Sequence, residues 1–253
     1  MTIVVGNQKG GVGKSVITCS LAEYAWEQGL RVLVVDVDGQ GNTTRYFLPD
    51  RAAEGEGASG LYVDGPTPRP VQVRERLSVL AADVALDDVD ALPADDEEVV
   101  RRPRQHLATL ASEFDVIFVD TPPTRSRRLT GALVAGDAVV TPIGVDRASA
   151  EGLEDLLSDL RAIRKGFNAG LRHLGILVNR YRSVNATQRR NLAELRASFG
   201  HHVIEGELED RSPVGAAFDD RRPVWRRADG ESARIAGRQF RATCGAVLRR
   251  AGL

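Results

Sequence analysis

Lysine is nearly missing from this chain. Of its 34 basic residues only Lys9, Lys14 and Lys165 are lysine, and the rest are arginine. Cysteine is scarcer: Cys19 and Cys244 lie near opposite ends, with no C-x-x-C pair. That argues against a disulfide framework, a zinc site or an iron–sulfur cluster held within one chain, and both residues read as small buried hydrophobes. An excess of one charge is also lacking. The net charge is −1, so bulk charge points to no nucleic-acid partner and any such surface must be local. No apolar run approaches the ~20 residues of a membrane span. The first residues read as a strand, not a signal peptide, and the expected setting is cytoplasmic. Apolar and charged residues make up 42% and 27% of the chain, ordinary for a globular protein. At 253 residues, with no internal repeat, it is read as a single domain over residues 1–253.

What is present begins at Thr2–Ser20. The apolar run Ile3–Val5 stops at Gly6, a loop holding Gly10, Gly11 and Gly13 follows, and Lys14 and Ser15 open a helical pattern. Strand, glycine loop and helix are the context a phosphate-binding loop requires. Glycines let backbone N–H groups approach phosphate oxygens, and a helix N-terminus adds partial positive charge. In that loop Lys14 reaches the terminal phosphates and the Ser15 hydroxyl ligates Mg²⁺. A compact ammonium suits a phosphate, and two of the three lysines stand here.

Further along, RVLVVD at 31–36, DVIFVD at 115–120, Ala138–Pro142 and LGILVN at 174–179 read as buried parallel strands. Leu77–Ala81 is a possible short strand, and His201–Ile204 a possible last one. Helices are expected over Ser15–Gln28, Asp95–Ser112 (after Pro93), Arg127–Ala135, Ala148–Lys165, Thr187–Phe199, Pro213–Phe218 and Glu231–Ala251. Pro49–Pro70, rich in Gly, Pro, Ala and acid, reads as a surface excursion. Strands alternating with helices predict an α/β fold: a mostly parallel twisted sheet with helices on both faces. Its strand C-termini share one edge, where sites sit. The loops after residues 5, 36, 120 and 179 therefore converge. Asp120, ending an apolar strand, has the Walker B arrangement of a carboxylate that holds Mg²⁺. Asp36 and Asp38 lie two apart at the second strand end, as site residues or as backbone caps of a turn.

Gln8 stands where the usual loop has its first glycine, and a second lysine heads Lys9-Gly10-Gly11-Val12-Gly13-Lys14-Ser15. This is the deviant Walker A form and resembles the ParA/MinD family of partitioning and positioning ATPases. The resemblance continues through LRVLVVDVDGQGN, FDVIFVDTPP, GALVAGDAVVTPI and DRRPVW, and is loose only at Pro49–Ala94. It implies an ATP- and Mg²⁺-dependent ATPase in which Asp36 supports the metal with Ser15 and Asp120, while Asp38 orients the attacking water. Lys9, with no role legible inside one subunit, would cross an ATP-dependent homodimer interface to the partner's nucleotide. Val16 stands where many relatives place a hydroxyl toward the α-phosphate. Asn179 matches an adenine-contacting position, with a plain strand-end turn as the competing reading. Gly39 replaces the family's proline, which should loosen the loop.

The resemblance also implies a weak ATPase stimulated by a ParB-like centromere-binding partner, and an ATP dimer that holds non-specific double-stranded DNA on the nucleoid through C-terminal arginines. Arg182 and Arg211 stand near the family's positions, with Arg189, Arg190, Arg221 and Arg222 nearby. The first strand begins at residue 2, so no N-terminal helix-turn-helix is expected, as in small and chromosomal Soj-type members. The alternative is a MinD-like or cargo-positioning ATPase at a membrane or protein assembly. The apolar stripe Phe240, Cys244, Val247, Leu248 is expected to pack on the domain instead, with no stable membrane association. A reductase of the nitrogenase-iron-protein type would need paired cysteines that are not suitably placed. A nucleotide-gated scaffold that scarcely hydrolyses stays open.

Overall fold

The computed structural model describes residues 1–49, 56–92, 96–227 and 230–253, with the backbone alone for 147–152. In chain order the elements are β1 (Thr2–Val5), α1 (Lys14–Glu27), β2 (Val32–Asp36), α2 (Asn42–Phe47), β3 (Val71–Arg74), β4 (Leu77–Leu80), α3 (Leu86–Ala91) and α4 (Glu98–Leu110). There follow β5 (Val116–Asp120), α5 (Arg127–Ala135), β6 (Ala138–Ile143), α6 (Arg147–Gly166), β7 (Arg172–Val178), α7 (Ala186–Phe199), α8 (Ser212–Asp219) and α9 (Gly230–Ala251).

The strands form one sheet in the order β3-β4-β2-β5-β1-β6-β7, parallel except for β3. Side chains alternate across a strand, so Ile3 and Val5 face one core with Phe118, Leu21 and Phe240, while Val4 faces the other with Ile117, Leu129 and Leu156. Each fully buried side chain of this kind contributes roughly 1.5–3 kcal/mol. The C-terminal stripe lies in the first core, with Phe240, Cys244, Val247 and Leu248 all buried. Glu27 at the end of α1 fastens that layer, accepting from Trp225, Arg226 and Arg241.

Several expectations change. Within Pro49–Pro70, residues 50–55 lie outside the described residues, but Ala58–Tyr62 form a 3-10 turn that enters the core rather than the surface. Leu61 and Tyr62 are fully buried, and the Tyr62 hydroxyl donates to the Arg128 carbonyl at 2.8 Å. A single turn is too short to show a sequence period. His201–Ile204 is not a strand: Gly200–His202 is a 3-10 turn and only Val203 bridges Ile176. The helix expected from Asp95 begins at Glu98; Pro93 and Asp95 lie outside the described residues.

β6 and β7 slip register between Val139 and Val140, because Leu174 is an extra residue on β7. Such a bulge redirects side chains. His173 there meets the Thr141 hydroxyl at 3.1 Å. Burial, then His202 and Arg250, pulls its imidazole down to about 4. A depressed folded pKa means the unfolded chain binds the proton first. The associated stability is present above about pH 6.5 and is lost as pH falls toward 4, roughly 3 kcal/mol in total. Thermal melts at pH 7 and pH 4 should show His173→Phe losing about 5 °C less than the parent on acidification; equal losses would remove His173 from acid sensitivity.

Candidate nucleotide site

The loops after β1, β2, β5 and β7 meet at one edge of the sheet. Gly11 and Gly13 adopt positive φ, 73° and 85°, turning the loop so that α1 starts at Lys14. Val12 is buried beneath it, Gly10 packs near Pro123, and Val16 is half-buried against the core. Lys14 is 6% exposed and its ammonium lies 3.4 Å from the Lys9 carbonyl. Burial lowers its pKa, opposed by Asp120 and Asp38.

Asp36 and Asp120 occupy paired register positions on β2 and β5, both fully buried. Asp36 accepts from the Thr44 backbone and hydroxyl, each at 2.8 Å, and from the Asp38 N–H at 3.2 Å. Asp120 accepts from Thr43 at 2.7 Å and Thr18 at 3.4 Å, with Ser15 a further donor. Burial raises both carboxyls, Asp120 adding to the rise at Asp36. Asp38, 8% exposed, accepts from Gln40 N–H at 3.0 Å. At Asp36 and Asp120 the accepted hydrogen bonds oppose that rise without cancelling it. A cation beside the pair would favour their charged forms. The donor set, hard oxygens beside a serine hydroxyl, fits a divalent cation such as Mg²⁺.

Some residues take places the sequence did not announce. Asn179 donates to the Val12 carbonyl at 2.8 Å and lies against Gly13, so its amide braces the phosphate loop. Arg180, in a left-handed conformation at φ 56°, braces it from outside through the Gly11 carbonyl at 3.0 Å. Lys9 does have a role within the chain: its ammonium pairs with Asp146, beyond β6, at 2.6 Å, and its N–H donates to Asn7. These residues line a cleft of about 230 Å³ that also includes Arg182 and Asp210.

Four of the six C-terminal arginines already face carboxylates: Arg182 to Asp210 at 2.6 Å, Arg190 to Glu194 at 3.9 Å, Arg211 to Glu209 at 2.5 Å and Arg222 to Asp220 at 3.0 Å. Arg189 donates to the Ser183 carbonyl, and Arg221 holds a left-handed turn after α8. Much of the charge dense in the sequence is therefore paired on the surface, in contacts that remain open to solvent.

The space at Gly39 is occupied. A Cβ there would stand 2.8 Å from Asp87 Oδ1 and 3.1 Å from Arg128 Nη1. Arg128 is 8% exposed and also pairs with Asp90 at 2.8 Å. Gly39 is itself exposed and the Asp87 side chain is 80% exposed, so that carboxylate can swing aside. Gly39→Pro should therefore change stability by less than about 1 kcal/mol in denaturant titrations; a larger loss would show that the loop backbone needs glycine there.

Comparison with known proteins agrees with this geometry. A family model described as AAA domain matches residues 1–173. The chain is 35% identical over 203 residues to the chromosome-partitioning ATPase Soj of Thermus thermophilus, covering 80% of this chain and 78% of that one. The chain belongs to the ParA family of partition ATPases. Two IncC proteins of Escherichia coli are 30% and 32% identical to it over 89% and 95% of its length; it spans 63% and 67% of theirs. In structure, a cobyrinic acid a,c-diamide synthase from Mycobacterium smegmatis with bound ATP analog and magnesium superposes at a TM-score of 0.81, with 23% identity, over 99% of this chain and 95% of the other. That likeness establishes a shared fold. No helix of the described residues is long and apolar enough to cross a membrane.

Proposed function

We propose that the chain is a Mg²⁺-dependent ATPase that works as a nucleotide-controlled DNA-partition switch. The observation that carries this reading is the meeting of a glycine-shaped anion cradle, one buried lysine and three carboxylates at a single sheet edge. Lys14 and the loop N–H groups bind and orient the triphosphate. Ser15, Asp120 and, behind them, Asp36 would hold Mg²⁺, which supplies charge neutralisation at the phosphate oxygens. Asp38 positions a water for attack. Positioning and charge complementarity are most of what phosphoryl transfer requires.

Lys9 serves the opposite subunit's nucleotide in an ATP-dependent homodimer, leaving Asp146 to do so. The dimer binds double-stranded DNA without sequence preference, drawing on Arg182, Arg189, Arg190, Arg211, Arg221 and Arg222, and a ParB-like partner stimulates slow hydrolysis to release it on the nucleoid. Family membership and the names of its partition relatives support this reading.

The test is size analysis of Asp38→Ala with ATP, with and without duplex DNA. A shift from one chain to two with ATP, DNA retention by the dimer alone, and affinity falling steeply with salt are expected. A monomer with ATP, or salt-independent DNA binding, would overturn the switch. Lys9→Ala added to that protein should return it to one chain.

A further inference from the structure

Away from the nucleotide edge, a second cavity of about 270 Å³ opens between α6 and β7. Val139, Leu157, Leu160, Leu171, Ile176 and Phe199 supply its apolar walls. Its polar lining is entirely basic or imidazole: Arg161 and Arg164 from α6, His173 from the β7 bulge and His202 from the following turn. No carboxylate lines it. Arg161 and Arg164 are exposed one turn apart on α6, and neither makes a hydrogen bond or ion pair among the described residues. That is unusual in a chain where most site and C-terminal arginines face an acid. The bulge is itself a constructed feature. Gly175 holds φ 139°, and the His202 carbonyl lies 2.5 Å from where a Cβ would be, so the bulge and the turn close on each other only with glycine there. This approach sets His173 and His202 on one rim, opposite the two arginines.

An apolar chamber with a few convergent polar groups is the usual form of a small-molecule site. Unpaired guanidiniums at the mouth select an anionic head, and the volume admits a body on the order of a dozen non-hydrogen atoms. We propose that this cavity is a binding site for an amphiphilic monoanion, a carboxylate on a compact apolar tail, with the head between Arg161 and Arg164 and the tail against the half-buried Leu157 and Phe199.

The probe is decanoate, titrated into the full chain by isothermal calorimetry below its micelle concentration. Saturable one-to-one binding with a sub-millimolar Kd is expected. Decanol, which lacks the charge, and acetate, which lacks the tail, should each bind at least tenfold more weakly. The double variant Arg161→Ala/Arg164→Ala should weaken decanoate at least tenfold while leaving the melting temperature of the free protein unchanged, because both side chains are exposed. Absence of saturable binding, or equal binding by the double variant, would overturn the site. So would co-sedimentation with anionic phospholipid vesicles without one-to-one decanoate binding, which would assign the arginines to a lipid surface.

Discussion

Gly13→Ala is expected to abolish tight nucleotide binding, raising the Kd for a fluorescent ATP analogue by about a hundredfold, or about 2.7 kcal/mol. Two costs combine. Gly13 sits at φ 85° and ψ 29°, a left-handed conformation that costs a residue with a Cβ roughly 1–2 kcal/mol. The added methyl also runs into the Asn179 side-chain amide, inside contact distance. That amide would have to leave the Val12 carbonyl, and an abandoned buried acceptor costs about 1–3 kcal/mol. The loop would relax in the one place where its N–H groups must face phosphate. Asn179→Ala placed on top removes the collision but not the backbone strain, so it should restore less than half of the loss. Binding by Gly13→Ala within twofold of the parent would show that the loop's curvature is not what holds the nucleotide.

The second large effect is on the fold. Gly175→Ala should lower stability by about 3 kcal/mol or more, about 6 °C in melting temperature for a chain of this length. The obstruction is backbone: the His202 carbonyl at 2.5 Å, beside Arg250 Nη1 at 2.6 Å. The carbonyl is held in place, because the Val203 N–H of the same peptide is tied to the Gly200 carbonyl at 3.1 Å. Gly215→Ala in α8 provides the opposite sign. Nothing lies within 4 Å of the methyl it would add, and alanine is the better helix former, so a gain of about 0.5–1 kcal/mol is expected. Equal melting temperatures for the two variants would show that the β7 bulge is pliable.

The buried strands were readable because a strand covered on both faces must be apolar throughout, and VLVV and VIFV leave no other choice. Each ends in aspartate at the same edge, so Asp36, Asp38 and Asp120 were legible as a group once Lys14 had marked the edge. Legibility stopped where the determining contact joins distant residues. Asp146 holding Lys9, Asn179 and Arg180 holding the phosphate loop, and Asp87 with Arg128 standing beside Gly39 have no local pattern. Small elements failed for a related reason. NTTRYF in α2 contains β-branched and aromatic residues of strand preference, yet it is helical because Thr43 and Thr44 bind Asp120 and Asp36. VQVR in β3 is only half covered, and LDDVDA in α3 is too short to show a period. In the arginine-rich C-terminal third the charge was legible but its pairing was not: Arg182, Arg190, Arg211 and Arg222 each also meet an acid of the same surface.

The two margins of the sheet are both closed to newcomers. On one, β3 is four residues long and irregular in pairing, with Arg74 turned back to Glu23. On the other, the Val203–Ile204 segment already takes the Ile176 carbonyl and bridges to it. Among the described residues, a further strand finds only these short, interrupted margins to zip onto. Growth by sheet extension, the route to amyloid-like fibres, is therefore disfavoured in the native molecule, and an ordered polymer of it is more easily built from whole folded units joined through side chains.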